Sequence, residues 1–419
     1  MSRIQHIVIV GAGQAGARAA QALRAADTDL QITLIGEETA PPYERPALSK
    51  AVLLGEASPD SALVETSTYW STQRIDLRTG VRVEAIAPHE GYVQLADGSR
   101  LQGDQFLLTT GSRVRPLPCA PTPRAGVYYL RTLDDCARLS TEMQAGRSMV
   151  IIGGGFIGLE VASSACARGM QVSVLEREAT LLARALPAAL ADQIAQLHRA
   201  KGVTLHTHAQ VSSIEPTEDG LGVSAVRLTD GTRIAAEVVV IGIGIIPNTE
   251  LAEAAGAQSA DGVVVDAYGR TTVSGLWAAG DVTNHPNAVL GRRVRLESWQ
   301  NAQNQAITVA QNMLLANPVA YAEVPWFWSD QHGVNIQVAG AWEPTAQTVW
   351  RGAPNAERAL AFALVEGRVV CAVALNQGAE IRFAKKLIES KRVVSAEQLA
   401  DPTLKLKELL AGPPSTSTH

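Results

Sequence analysis

Two glycine-rich turns of the form G-x-G-x-x-G, each set between an apolar strand-like run and a helix-like run, constrain this chain more than any other feature. The first is Gly11-Ala12-Gly13-Gln14-Ala15-Gly16, entered from residues 4–10 and followed by an alanine-rich helix to about Ala26 and a strand over 31–35. The second is Gly153-Gly154-Gly155-Phe156-Ile157-Gly158, entered from 148–152 and followed by a helix to about Arg168 and a strand over 171–175. In such a unit the first glycine makes the tight turn, the second lets the backbone approach a pyrophosphate, and the third lets helix pack closely on strand. The helix N-terminus then offers unsatisfied N–H groups to the phosphates. An acidic residue closes each second strand, Glu37 in one unit and Glu176 in the other, where a carboxylate accepts ribose hydroxyls. One such turn is weak evidence. Two in matched surroundings predict two dinucleotide-binding units.

The repeat extends past the turns. A hairpin signal at Asp97-Gly98 precedes a strand over 105–109 and then Thr110-Gly111, and a second at Asp230-Gly231 precedes a strand over 237–241 and Gly242-Ile243-Gly244. The expected fold is therefore α/β, with two Rossmann-like dinucleotide-binding domains, one inserted in the other, and a C-terminal α+β domain. The expected boundaries are 1–115 with 248–325, 116–247, and 326–411, which leaves 412–419 as a disordered tail. A helix over 297–315 belongs to the first of these; strands over 335–338, 348–351, 359–365 and 368–374 and a basic helix over 380–390 make up the last.

Composition excludes several classes. The 419 residues, 46% hydrophobic and 18% charged, suffice for two or three packed domains at roughly 150 residues each. A net charge of −5 lacks the basic excess that neutralises phosphates, so nucleic acid is not an expected partner. No apolar run approaches the roughly 18–20 residues that span a bilayer, so no membrane is expected. A secretory leader is not expected ahead of residues 4–10, and the expected location is cytoplasmic. Cys119, Cys136, Cys166 and Cys371 are dispersed without a C-x-x-C, which suggests neither a disulfide framework nor a metal site.

Two dinucleotides in one chain imply that one delivers electrons to the other, a flavin and a nicotinamide being the usual pair. Glycines 11, 13 and 16, Thr110-Gly111, glycines 153, 155 and 158 with Glu160, and Gly280-Asp281 resemble the two-dinucleotide-binding, glutathione-reductase-like flavoproteins. In that superfamily the N-terminal, split domain holds FAD and the inserted one NAD(P)H. A narrower likeness rests on Pro42-Tyr43-Glu44-Arg45-Pro46-Ala47-Leu48-Ser49-Lys50, Gly153 to Glu160, Glu297-Ser298-Trp299-Gln300-Asn301-Ala302 and Pro325-Trp326-Phe327-Trp328-Ser329-Asp330-Gln331. These blocks resemble the FAD-dependent NADH:ferredoxin reductases that serve bacterial aromatic-ring dioxygenases and haem-thiolate monooxygenases.

The resemblance assigns roles. Arg45 and Lys50 face the flavin, whose pyrimidine edge gains negative charge on reduction, and the helix opening near Glu297 adds its positive end. Glu160 stands beside the nicotinamide within reach of Lys50. Its plainer reading is an acid in the first turn of a helix, favoured by the macrodipole, and that of Lys50 is a surface lysine capping a short helix. Asp281 takes the ribitol hydroxyls while Gly280 lets the chain come close. Glu37 takes the FAD adenosine ribose and Arg131 the FAD pyrophosphate, a structural salt bridge being the alternative for Arg131. Trp299 lies beside the flavin pyrimidine, and Trp326 or Trp328 near its dimethylbenzene edge. Val83, Thr110, Gly111 and Ser298 join the FAD contacts; Ile157, Arg184 and Gly244 join the NADH contacts. Glu176 favours NADH by repelling a 2′-phosphate, although Arg177 and Arg184 leave NADPH open.

A flavin hands two electrons on singly, which suits a one-electron iron–sulfur acceptor. With no cysteine before Cys119, the sulfur relay of related disulfide reductases and peroxidases has no counterpart here. The expected partner is a ferredoxin, commonly acidic, so a local basic surface is needed. Arg382, Lys385, Lys386, Lys391 and Arg392 form one candidate and Arg292, Arg293 and Arg295 another. A solvated helix face with Lys385 and Glu389 at i,i+4 spacing accounts for the first equally well. Two alternatives stand beside the ferredoxin reductase: a rubredoxin reductase or NADH oxidase, and an NADH-sensing, non-catalytic flavoprotein resembling apoptosis-inducing factor. Monomer and homodimer are both open.

Overall fold

The central strands of the parallel sheets are buried and largely apolar on both faces, as strands covered by helices on each side must be. In the computed structural model, which describes residues 4–120, 124–352 and 358–410, they fall into two compact units. The expected disordered tail, 412–419, lies outside the described residues.

Of the described residues, the first unit gathers 4–45, 59–113 and 245–325. Its five-stranded sheet runs in the order Leu276–Ala278, Gln105–Leu108, His6–Val10, Gln31–Ile35, Ile75–Arg78, every pair parallel. The helix Gln14–Ala26 covers one face with Ala17, Ala19, Ala20 and Leu23, and the helix Trp299–Asn312 packs beside it through Ala306, Val309 and Ala310. Alanines at this contact let the two backbones approach closely. Each fully buried Leu or Ile in the cluster contributes on the order of 1.5–3 kcal/mol. A three-stranded antiparallel sheet, Val83–Ala87, Tyr92–Leu95 and Arg100–Gln102, carries the Asp97-Gly98 hairpin on the way to the strand Gln105–Leu108.

Of the described residues, the second unit gathers 46–58, 114–120, 124–244, 326–352 and 358–410. Its parallel sheet repeats the plan in the order Thr204–His206, Gln171–Leu175, Ser148–Ile152, Val238–Ile241, Val127–Tyr128. The helix Phe156–Ala167 buries Leu159, Val161, Ala162 and Ala165. The helix Leu133–Glu142 starts from a capping box in which Thr132 and Asp135 satisfy each other's backbone N–H groups. The C-terminal part is an antiparallel sheet ordered Trp326–Gln331, Val334–Gly340, Arg368–Leu375, Ala359–Val365, Gln347–Trp350, backed by the helix Gly378–Ser390. Its first strand, Trp326–Gln331, is an element the apolar pattern did not announce, because both of its faces carry large or polar side chains.

Candidate functional site: two nucleotide cradles and a buried carboxylate

The two glycine turns have the same geometry. Gly11 and Gly153 adopt φ of +114° and +113°, where a side chain is strained, and a Cβ at either would lie 2.3 or 2.4 Å from a carbonyl oxygen, of Thr109 or Gly242. A Cβ at Gly16 would lie 2.0 Å from the Gly11 oxygen, and one at Gly158 2.2 Å from the Gly153 oxygen. Gly13 and Gly155 differ: a Cβ there meets no heavy atom within 4 Å. These two are also the N-cap residues of their helices, with no side chain bonded to the helix N–H groups. The backbone is thus bare where a pyrophosphate needs room, and donors point into that space. Both turns fit a dinucleotide.

The acidic strand ends are held differently. Glu176 accepts from the backbone N–H of Gly154 and of Glu178, both at 2.8 Å, which fixes its carboxylate beside the second turn. Arg177 is drawn sideways onto Glu178 at 2.9 Å, and exposed Arg184 lies next to Gly244, whose φ is +106°. Glu37 is exposed and pairs with Arg82 at 2.9 Å, a surface contact worth about 0–1 kcal/mol. Ile157, on the first turn of its helix, is 49% exposed, an unusual position for a large apolar side chain.

In the first unit, Arg45 donates to Glu38 at 2.7 Å and to the Tyr43 hydroxyl at 2.8 Å, and Tyr43 donates to Glu38 at 2.5 Å. Burial works against the Arg45 charge, but Tyr43, Glu38 and Asp281 raise its pKa above the ordinary guanidinium value, so Arg45 and Asp281 lie within electrostatic range. Gly280 has φ +83° and faces Ala15 and Ala302, and its N–H donates to Gln305 at 2.9 Å. Thr110 and Asn248 are cross-bonded, each side chain to the other's carbonyl, at 2.9 and 2.8 Å, with Gly111 in the left-handed region beside them. Ser298 caps the helix Trp299–Asn312 by accepting from Asn301, so the helix opens beside Glu297 as expected. Val83 is buried in its strand.

Lys50, Glu160, Arg131 and Trp328 belong to the second unit. Glu160 is 3% exposed and lies beyond the first helical turn, which corrects the expectation of a first-turn acid: no acidic residue occupies that turn. Its carboxylate is held by tertiary partners instead of the macrodipole. Lys50 Nζ stands 2.8 Å from Oε2, the Ser49 hydroxyl donates to the same oxygen, and the Ser329 hydroxyl donates to Oε1 at 2.6 Å. A buried carboxylate is tolerated only when so satisfied. Ser49 and Ser329 went unassigned in the sequence, although both sit inside blocks read for their charged and aromatic neighbours. Trp328 stacks on Trp326 at 5.3 Å, while Phe327, on the opposite strand face, meets Phe156 edge-on at 4.8 Å. The Arg131 backbone N–H donates to Asp135.

All four cysteines are free, and burial raises the pKa of each, that of Cys136 to about 11. None is prepared as a thiolate. Of the basic clusters, Arg295 is consumed by Asp261 and Glu297, and Arg293 is bonded to Asn284 and to the Val265 carbonyl. On the helix Gly378–Ser390, Arg382 and Lys386 are exposed, and Lys385 lies 6.0 Å over the Trp326 ring. No helix among the described residues is long and apolar enough to cross a membrane.

Paired glycine-turn cradles of this kind define an oxidoreductase that works with two nucleotides. The chain belongs to the pyridine nucleotide-disulphide oxidoreductase family, whose model matches residues 5–306, and a reductase C-terminal model matches 326–410. It uses FAD and NADH. It is 43% identical over 404 residues to the anthranilate 1,2-dioxygenase system ferredoxin–NAD(+) reductase component of Burkholderia cepacia, covering 96% of this chain and 98% of that one. It is 37% identical to the putidaredoxin reductase of Pseudomonas putida, covering 98% of each. The crystal structure of the covalent putidaredoxin reductase–putidaredoxin complex superposes with a TM-score of 0.95 at 36% identity, covering 98% of this chain and 99% of that one.

Proposed function

We propose that this protein is the NADH-dependent reductase of a bacterial oxygenase system, passing electrons from NADH through FAD, one at a time, to a ferredoxin. The observation that carries the reading is the pair of matched glycine turns, each bare at its middle glycine. Relatives that span nearly the whole chain are reductase components of dioxygenase systems, which supports the acceptor. The division of labour follows the expected domains, 1–115 with 248–325 for FAD, 116–247 for NADH, and 326–411 as the C-terminal domain. An NADH-dependent role suits the cytoplasm.

FAD, when bound, accepts an electron pair and releases it in single steps. The residues supply everything else. Gly11, Gly13 and Gly16 admit its pyrophosphate; Glu37 takes its adenosine ribose; Asp281 takes ribitol hydroxyls; Thr110, Gly111, Val83, Ser298 and Trp299 line the remainder. Arg45, locked by Glu38 and Tyr43, contributes fixed positive charge. Arg131 serves the cofactor's pyrophosphate, Lys50 its pyrimidine edge and Trp328 its dimethylbenzene edge. Gly153, Gly155, Ile157 and Gly158 receive NADH, Glu176 holds its ribose, and Arg184 and Gly244 flank it. Glu160, with Lys50 bonded to it, orients the nicotinamide. The high-pKa thiols support direct delivery to the ferredoxin. Lys385, over the Trp326 ring of the Trp326–Trp328 stack, and the exposed Arg382 and Lys386 of the same helix offer an acidic ferredoxin a basic aromatic surface.

Anaerobic addition of NADH should bleach the yellow protein, and the ferredoxin of a ring-hydroxylating dioxygenase should then restore the colour much faster than air does. Equal reoxidation by air alone points to an NADH oxidase, and a long-lived NADH complex without turnover to a sensing role; either would overturn the reading.

A further inference from the structure

The strand Trp326–Gln331 carries two kinds of side chain. Trp326 and Trp328 share one face, and Ser329 and Gln331, two residues apart, share the other. Ser329 and Gln331 are fully buried, as is His198 from the helix Ala188–Ala200. Polar side chains at such depth cost free energy unless bonded, and apolar ones of similar size would pack there at least as well. What keeps them is a continuous line of contacts. His332 Nε2 lies 3.1 Å from His198 Nδ1, His198 Nε2 lies 2.9 Å from Gln331 Oε1, Gln331 Nε2 lies 3.0 Å from Ser329 Oγ, and Ser329 Oγ lies 2.6 Å from Glu160 Oε1.

The direction of every bond follows from the last acceptor. A carboxylate only accepts, so the Ser329 hydroxyl must spend its proton on Glu160. Ser329 then accepts from Gln331, which turns the Gln331 carbonyl toward His198 and requires N–H at His198 Nε2. Burial lowers the His198 pKa, and burial, His198 and Lys201 lower that of His332 to about 4, so both rings are neutral near pH 7. A neutral His198 has its lone pair on Nδ1, which obliges His332 to donate from Nε2. Each donor points the same way, an arrangement in which successive bonds polarise one another. The line ends at the turn His332-Gly333, where both residues have positive φ, 50° and 80°, as a two-residue hairpin requires. The His332 backbone N–H donates to Ser163 at 2.7 Å, tying the turn to the helix that carries Glu160.

We propose that His332, His198, Gln331 and Ser329 form a one-way chain of hydrogen-bond donors that positions the Glu160 carboxylate. The inference rests on the reading above that Glu160 serves the nicotinamide. His198 and His332 are positioning residues, acting through Gln331 and Ser329.

The test uses the full-length, FAD-loaded protein. Nitrogen-15 spectra of its histidine side chains at pH 7.5 should find His198 and His332 both as Nε2–H tautomers, and Glu160→Gln should shift the His198 ring resonances. An Nδ1–H tautomer at His198, or no response to Glu160→Gln, overturns the chain. In rapid mixing with NADH, His198→Leu should slow flavin bleaching about tenfold while NADH affinity stays within about twofold, since loss of alignment acts on the reacting geometry. His198→Gln, whose amide N–H replaces Nε2–H, should recover most of that rate. Equal impairment of the Leu and Gln variants, or none in either, refutes positioning. If Glu160→Gln slows bleaching and His198→Leu does not, the chain fails while the assignment of Glu160 stands. If Glu160→Gln leaves bleaching unchanged while the tautomers respond as expected, it is the assignment of Glu160 that fails.

Discussion

Lys50 Nζ and Glu160 Oε2 stand 2.8 Å apart, with the lysine side chain 19% exposed and the glutamate 3%. The asymmetry matters. The ammonium keeps part of its hydration, whereas the carboxylate depends on protein donors. Removing the lysine therefore strips a buried charge of its counterion, while removing the glutamate releases a cation that can turn to water.

Lys50→Met should accordingly destabilise the fold more than Glu160→Gln, by about 2–4 kcal/mol against about 1–2 kcal/mol, and the double variant should cost less than the two added together. Denaturant unfolding of the four proteins measures this. Simple additivity would mean that the pair is not coupled.

The Glu176 carboxylate is pinned by two backbone N–H groups. Glu176→Gln keeps one of those acceptor bonds and removes the negative charge. It should lower the ratio of NADH to NADPH efficiency by at least about tenfold, equivalent to about 1.4 kcal/mol of transition-state discrimination. Steady-state kinetics with both coenzymes decides it, and an unchanged ratio would show that another group reads the ribose.

How much of this was legible in the chain depended on distance. Gly11 to Gly16 and Gly153 to Gly158 declare themselves because backbone sterics at a strand–turn–helix junction leave glycine little competition. The parallel strands read as apolar runs because both of their faces are covered. Glu160 was visible as an acid near a helix start, but not its burial, since Ser49 and Ser329 reach it from 111 and 169 residues away. The contact between His198 and Gln331 spans 133 residues and leaves no periodic trace. Similarly, Lys385 and Glu389 have the spacing of a helix ion pair, yet Lys385 lies over Trp326, an interaction set by the sheet beneath the helix.

Asp281 follows Gly280, whose left-handed backbone is braced by Ala15, Ala302 and Gln305. The brace fixes the direction in which Asp281 leaves the sheet. Asp281→Ala should yield folded protein depleted of FAD, read as a lower ratio of flavin to protein absorbance with an unchanged far-ultraviolet spectrum. Full flavin content would remove Asp281 from the site.

His285 is 2% exposed, and burial followed by the Arg293 charge lowers its pKa to about 4. The unfolded chain binds a proton at His285 near pH 6.5, the folded chain only near pH 4. Between those values the unfolded state holds more protons, so stability falls as the pH drops from about 6.5 toward 4 and levels off below. The single-site loss is on the order of 3 kcal/mol. His285→Phe, which keeps a ring against Tyr321 at 5.6 Å in the parent, should flatten the stability profile in that window relative to wild type. Parallel profiles would mean that His285 does not titrate as its surroundings dictate.

The glycine turns allow folding and binding to be separated within one loop. Gly13→Ala places a methyl where no protein atom lies within 4 Å, at φ −88°, a conformation alanine adopts readily. Stability should change by less than about 1 kcal/mol. The same methyl occupies the space a pyrophosphate needs, so flavin content should drop sharply. Gly155→Ala should leave flavin content intact and raise the NADH concentration required for half-maximal rate. Gly158→Ala must push a methyl to 2.2 Å from the Gly153 carbonyl, so it should destabilise the fold as an overpacked core does, by about 1–3 kcal/mol. Flavin absorbance, NADH kinetics and thermal unfolding on the three variants give three separate signatures. If Gly13→Ala and Gly155→Ala lost the same nucleotide, the assignment of one cradle to each cofactor would fall.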